Sequence, residues 1–499
     1  MKLAIVFVFV AAPVMGATCE SLSTFSQSHV SVTAAQTVGA GQFTPPSGRA
    51  GRGGNPFANL PAFCRVAATL TPSSDSDIKI EVWMPASGWN GKLQAVGNGA
   101  WAGNISYPAM ATALAAGYAT VSTDTGHVGG NANFMVGHPE KLKDFEERSV
   151  HEMTVTAKAV AAAFYSSAPK RSYFNGCSTG GRQALTEAQR YPLDFDAIIA
   201  GAPANFARRQ TFGQIWLWQA THQDEAAMLT AEKYAVLHKA VLEQCDALDG
   251  VKDGVLENPT KCAFDPKVVQ CSSNDDLKNV GPDCLTAPQV EAARKIYAGA
   301  SNSKTHASLY PGLQPGSENG WNQSVAVRPV GYAEDFFKYI VFKDEKWDPR
   351  TLNYDADLAT TDRTATGLNA VDANLSAFAR HGGKLLIYHG WSDPGIPPSN
   401  SVNYYNAVLA AMKADARDSV RLFMIPGMGH CGGGDGTSTF NMVAAVDTWV
   451  ETKTAPSEIP ASKVADGKVV RTRPLCAYPA VAVYKGTGST DEAANFVCK

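Results

Sequence analysis

The 499 residues, 45% hydrophobic and 18% charged, are enough for one large domain or about two to three ordinary ones. A net charge of −3 gives no electrostatic reason to expect nucleic acid or an acidic membrane surface as a partner. The ten cysteines, an even number without a Cys-x-x-Cys pair, weigh against zinc and point to disulfides in an oxidising compartment.

The chain begins with Met1 and Lys2, an apolar run over 3–14, and the small residues Gly16 and Ala17. These are the parts of a secretory signal peptide, assigned to residues 1–17. The run is too short to span a bilayer, and no later stretch is long and apolar enough to do so. Three glycosylation sequons, at Asn104, Asn322 and Asn374, matter only in a eukaryotic host. Residues 18–70, rich in Gly, Ser, Thr and Pro, read as an irregular N-terminal wrap. Ile78, Ile80, Val82 and Met84 alternate with other residues and mark a strand. Short strands follow at 92–96, ending in Gly97-Asn98-Gly99-Ala100-Trp101, and at 118–122, ending in Thr123-Asp124-Thr125-Gly126-His127. Val150, Met153, Ala157, Val160 and Phe164 have the spacing of an amphipathic helix. An extended run at 171–174, a helix at 182–190 and a strand at 196–200 continue the alternation. Such alternation implies an α/β fold with a mostly parallel sheet covered on both faces.

The pattern then stops. Residues 202–382 read as helices and long loops with four cysteines and many aromatic residues. Strand character returns at 384–388 and 420–425. The expected organisation is a catalytic domain made of 18–201 and 383–499, with 202–382 inserted as a lid over the carboxyl ends of the strands, where ligands bind in such sheets. Trp321, Phe336, Phe337, Tyr339 and Trp347 concentrate aromatic area in the lid, as a sandwich for a planar acyl group or as the lid's own core. Arg328 and Arg350 are candidates to meet a substrate carboxylate. The lid also carries Asp246, Asp249, Val251, Asp253 and Val255 in a glycine-bearing loop. Three carboxylates at that spacing suit a hard cation held by oxygen, or simply a solvated acidic turn.

Residues 173–182 read Tyr-Phe-Asn-Gly-Cys-Ser-Thr-Gly-Gly-Arg. Gly176, Ser178 and Gly180 fit the Gly-x-Ser-x-Gly elbow, a tight strand-to-helix turn that projects a nucleophilic hydroxyl above a sheet. Serine is a weak nucleophile and needs an imidazole held by a carboxylate. The run at 384–388 leads into His389-Gly390-Trp391-Ser392-Asp393-Pro394, and that at 420–425 into Pro426-Gly427-Met428-Gly429-His430-Cys431. The order Ser178, Asp393, His430 is that of the α/β-hydrolases. His127 and His389 compete as base, and Asp124 competes as acid from the wrong side of the nucleophile. The tetrahedral oxyanion needs two backbone donors. These are assigned to Thr179 and to Gly99, with Ala100 next. Ile396, close after Asp393, is expected near the pocket.

Cys177 precedes the nucleophile and Cys431 follows the base. This Cys-Ser … Asp … His-Cys pattern resembles the tannase and fungal-type feruloyl esterase family, to which enzymes hydrolysing a terephthalate monoester are similar. The resemblance covers nearly the whole mature chain, including 175–182, 389–398, 427–432, Tyr310-Pro311-Gly312 and Gly320-Trp321. It implies an α/β-hydrolase fold with a large inserted lid and a secreted serine esterase acting on aromatic, foremost hydroxycinnamoyl, esters of the plant cell wall. Galloyl esters and terephthalate monoesters are the alternatives within the class. The outsiders are an inactive secreted binding protein on the same scaffold and a peptidase. The resemblance further implies the disulfides Cys19–Cys64, Cys177–Cys431, Cys245–Cys262, Cys271–Cys284 and Cys476–Cys498. It also implies a structural calcium ion on Asp246, Asp249 and Asp253 and the carbonyls of Val251 and Val255.

Overall fold

The structure, a computed structural model, describes residues 17–46, 55–272, 283–325 and 328–499. The assigned signal peptide lies outside these residues, apart from Ala17.

A sheet of nine strands organises the chain: β1 (Val30–Val38), β2 (Phe63–Leu70), β3 (Ile78–Pro85), β4 (Lys92–Val96), β5 (Ala119–Thr123), β6 (Arg171–Cys177), β7 (Ala197–Gly201), β8 (Lys384–Gly390) and β9 (Val420–Ile425). Their spatial order is β1-β2-β3-β5-β4-β6-β7-β8-β9. From β5 to β9 all neighbours are parallel, while β1, β2 and β3 join by antiparallel pairing. This is the α/β sheet that the alternation implied, in the α/β-hydrolase arrangement that the resemblance implied. Residues two apart on a strand share a face. Ile198, Ala200, Leu385 and Ile387 accordingly enter one core, and Ala197, Ile199, Leu386 and Tyr388 the other. The first face is covered by helices α2 (Ser149–Tyr165), α3 (Thr179–Arg190) and α5 (Ser399–Met412), and the second by α1 (Tyr107–Ala115) and α6 (Met442–Thr452).

The N-terminal segment is not the irregular wrap expected from its composition. It supplies β1 and β2, paired from Val30–Leu70 to Val38–Phe63 with one register shift between Val32 and Ala34. Most of β1 is exposed or half-exposed, so its Ser and Thr sit on a solvated edge, where polar composition and strand geometry are compatible. Its disulfide, Cys19–Cys64, ties the first turn to β2.

After Gly201 the chain leaves the sheet, and among the described residues it supplies no further strand of it before Lys384. It returns beside the point of departure, with Lys384 in register with Ala197. Helix α4 (Ala207–His222) opens this excursion. Phe336, Phe337 and Trp347 are buried together in one core, and Trp321 in another.

Candidate active site

Ser178 sits between β6 and α3 with φ 63° and ψ −121°, backbone angles that a side chain adopts only under constraint. The constraint is close packing of backbone. A Cβ on Gly176 would stand 2.5 Å from the Gly180 carbonyl oxygen, and one on Gly181 2.4 Å from that of Gly201. The Ser178 amide donates to the Gly201 carbonyl at 2.9 Å, which anchors the turn to β7.

The carboxylate comes from the turn after β8. Asp393 is fully buried, and its Oδ1 accepts from the amides of Gly395 (2.7 Å) and Ile396 (3.0 Å). Its Oδ2 accepts from His430 Nδ1 at 2.7 Å and from His389 Nε2 at 2.9 Å. His430 stands on the loop after β9. Two backbone bonds bind that region to the acid turn: the Ser392 amide to the Met428 carbonyl, 3.0 Å, and the Trp391 amide to that of Ile425, 2.9 Å. Burial pushes the Asp393 carboxyl up, but the adjacent His430 charge and the two imidazole hydrogen bonds outweigh it and hold the group below the usual carboxylate range. Burial likewise lowers His430, and the Asp393 charge and hydrogen bond more than reverse this, so its pKa lies above the ordinary histidine value.

Ser178 and His430 line one cavity of about 180 Å³, with Thr179, Ala100 and Ile396. Ile396 therefore stands where the sequence placed it. Gly99 is not among the lining residues, whereas its neighbour Ala100 is, at φ 44°. Among the described residues neither the Ala100 nor the Thr179 amide has a hydrogen-bond partner, and the Thr179 hydroxyl donates to the Ala100 carbonyl at 3.0 Å. The Cys177–Cys431 disulfide fastens the residue before Ser178 to the residue after His430, across 254 positions of sequence.

The rival residues have other partners. His127 is buried, and its Nε2 donates to the Trp101 carbonyl at 2.8 Å. Asp124 accepts from the amides of Gly126 (2.8 Å) and Lys79 (2.9 Å), and burial raises its carboxyl to about 7. His389 is not a base but a second donor to Asp393. Its Nε2 also reaches the Ile396 carbonyl at 3.0 Å, which leaves Nδ1 to accept from the Ser401 hydroxyl at 2.7 Å.

The family model for tannase and feruloyl esterase matches residues 64–499. The chain belongs to that family. As a member of the tannase and feruloyl esterase family it is a carboxylic ester hydrolase. It is similar to an uncharacterized esterase of Xanthomonas campestris pv. campestris, 38% identical over 97% of this chain and 91% of the relative. A probable feruloyl esterase B-1 of Aspergillus oryzae is 34% identical over 88% of this chain and 84% of its own length. The crystal structure of feruloyl esterase B from Aspergillus oryzae superposes with a TM-score of 0.88 at 31% identity, covering 96% of this chain and 99% of that one.

The disulfide pairs implied by resemblance to this family are all formed. The aromatic residues proposed for a substrate sandwich fare differently. None of Trp321, Phe336, Phe337, Tyr339 and Trp347 lines the cavity of Ser178. Phe336, Phe337, Tyr339 and Trp347 pack into a core shared with Trp101 and Phe145, and Trp321 into one of the inserted segment, because large rings bury more apolar area against one another than at a surface. Arg328 is exposed, and Arg350 lies over the Trp218 ring at 5.1 Å. Residues that the sequence did not single out take their place: Gln210 and Gln214 from α4, and Tyr332. Their i, i+4 spacing put the two glutamines on one helix face, but nothing local said that this face meets the nucleophile. Ser324, whose hydroxyl donates to the Pro394 carbonyl of the acid turn, likewise had no local signal.

In the acidic loop, Asp249, Val251, Asp253 and Val255 line a cavity of about 20 Å³ together with Glu257. Asp246 instead accepts from the Gly254 amide at 3.0 Å, and Asp253 pairs with Arg473 and, at 3.5 Å, with Arg471. Among the described residues no three or more His, Cys, Asp or Glu groups converge as a set for a metal ion. Arg471 and Arg473 line the same cavity, so its carboxylates are partly compensated by guanidinium groups, while the carboxylate and carbonyl oxygens beside them are the donor type that a hard cation takes.

Proposed function

We propose that the protein is a secreted serine carboxylesterase that hydrolyses hydroxycinnamoyl, feruloyl-type esters through an acyl-enzyme. The observation that carries this reading is the Asp393–His430 hydrogen bond of 2.7 Å behind a cavity that Ser178 and His430 both line. His430 takes the Ser178 proton as the hydroxyl oxygen attacks the ester carbonyl. The oxyanion rests on the Thr179 amide and on an amide of the 99–100 turn; Ala100, which lines the cavity, is preferred to Gly99. The alcohol leaves with the proton from His430, and water releases the acid by the same route. Asp393 fixes the imidazole tautomer and stabilises its charge.

Secretion is supported by the five disulfides and by the apolar N-terminal run. Among the described residues no helix is long and apolar enough to cross a membrane. The lid, 202–382, is proposed as a separate unit inserted in the catalytic domain 18–201 and 383–499. A structural calcium ion is proposed in its acidic loop, on Asp246, Asp249, Asp253 and the carbonyls of Val251 and Val255.

The test is a comparison of initial rates on methyl ferulate, methyl gallate and a terephthalate monoester, with Ser178→Ala as the blank. The expected result is fastest turnover of the ferulate, reduced by roughly 10⁶-fold in the blank. Turnover retained by Ser178→Ala would overturn the mechanism, and no turnover of any ester would favour a binding protein on a hydrolase scaffold.

A further inference from the structure

Gln210 and Gln214 stand one turn apart on α4 and line the cavity of Ser178. Their relative exposures are only 3% and 5%. A side-chain amide buried to that degree is expected to have its hydrogen-bonding groups met. Here the Oε1 atoms of both lack any partner among the described residues. The orientation of Gln214 follows from its neighbour. Its Nε2 donates to the Gly395 carbonyl at 3.3 Å, beside the acid turn, so the oxygen is the end left free. Gln210 has no partner at either end of its amide among the described residues, so either end is available to a ligand. Tyr332, on the same cavity, also has a buried hydroxyl without a partner, and burial raises its pKa to about 12, so it stays neutral. The remaining wall carries Gln323, Ser324 and Gly395 beside the apolar Ala204, Val330 and Ile396; Gln323 is exposed, and the Ser324 hydroxyl already donates to the Pro394 carbonyl. Among the described lining residues there is no Lys or Arg.

We propose that Gln210 and Gln214 are the specificity-determining residues of this esterase: the free amide oxygen of Gln214 accepts the phenolic O–H of an uncharged aromatic acyl group, and the unpartnered Gln210 amide meets the same hydroxyl. This rests on the esterase reading proposed above and adds the chemistry of the ring it takes. A phenol O–H is a good donor and meets a neutral acceptor without a change in charge. A ring carrying a second carboxylate meets only the neutral Gln210, Gln214 and Tyr332 groups and no Lys or Arg among the described lining residues, so a terephthalate monoester lacks a countercharge and is disfavoured. A site built around a substrate hydroxyl discriminates against the analogue that lacks it, because its own polar atoms are then left unpaired.

The experiment measures kcat/KM for methyl 4-hydroxycinnamate, methyl cinnamate and methyl 4-methoxycinnamate on the full-length enzyme and on Gln210→Met and Gln214→Met. Methionine keeps the length of the side chain and removes the amide. The wild type is expected to prefer the hydroxylated ester over both others by about tenfold or more. In the variants that ratio is expected to fall to within about threefold, the loss falling on the hydroxylated ester. A wild-type ratio near one overturns the inference while leaving the esterase standing, and it does so even if neither variant folds. A ratio kept in both variants, or equal losses on all three esters, also overturns it, since a residue that only shapes the cavity moves the esters together. No turnover of any ester removes the esterase reading and this inference with it.

Discussion

Two acidic turns of this chain hold carboxylates by different means. Asp393 is surrounded by donors: two backbone amides on Oδ1 and two imidazoles on Oδ2. In the loop that starts at Asp246, the carboxylates are answered by amides of the loop itself and by Arg471 and Arg473 from the strand Lys468–Cys476. A buried charge costs several kcal/mol unless it is partnered. In the first turn one partner is His430, the proposed general base, so on that proposal the same bond that stabilises the carboxylate also orients the imidazole. In the second, the partners come from a distant strand and no reacting group is involved. The first turn should therefore report damage in the rate, and the second in stability.

The largest effect is expected from Asp393→Asn. The amide keeps the shape, loses the charge and no longer enforces the tautomer with Nδ1 protonated. kcat on methyl ferulate should fall by about 10⁴. A loss under tenfold would move the acid role elsewhere. The pH profile adds the sign. His430 serves as base only when neutral, and Asp393 raises its pKa. The acid limb of kcat/KM should thus lie above the ordinary histidine value of about 6.5, with activity rising through it. In Asp393→Asn the limb of the residual activity should move to lower pH. A wild-type limb at or below the ordinary value would contradict the assignment.

Next comes the tether between nucleophile and base. Double replacement of Cys177 and Cys431 by alanine should cost about 10²-fold in kcat, the scale of a misplacement near 1 Å. Far-UV circular dichroism should stay nearly unchanged, because β6 and β9 keep their parallel neighbours. Full activity in the double variant would remove the positioning role. His389→Ala is smaller. It takes one of four donors from Asp393 and leaves His430 in place, so a loss of about tenfold is expected, with the donor-keeping His389→Gln recovering part of it.

These residues differ in how far the sequence disclosed them. Ser178, Asp393 and His430 each follow a short apolar strand on a glycine-bearing turn, so their coming together was legible from local pattern and chain order. The α/β alternation was legible for the same reason. β1 was not, since a solvated edge strand has the composition of a loop. His389 looked like a rival base because a strand-end histidine has the same local signature whether it faces serine or aspartate. Gln210 and Gln214 had no signature at all. Their place beside Ser178 depends on how the excursion between β7 and β8 folds back over the sheet, and that is decided by cores built from residues far apart in the chain.

The smallest effect on rate belongs to the acidic loop, and it gives the contrast its clearest test. Asp249 and Asp253 line a cavity too small for more than one ion, and the disulfide Cys245–Cys262 closes the segment that holds it. If calcium binds there, it binds the folded state alone. At an ion concentration about a hundred times Kd it adds about 2.7 kcal/mol, which a chelator removes. A fall in Tm of about 5 °C is expected on chelation, reversed by added calcium. kcat/KM on methyl ferulate at 25 °C should not change, because no residue of this loop lines the cavity of Ser178. Asp249→Asn should lower Tm by itself and abolish the response to chelator. An unchanged Tm under chelation would leave Arg471 and Arg473 as sufficient compensation for the loop, and a fall in rate at constant Tm would mean that the two turns are coupled through the inserted segment.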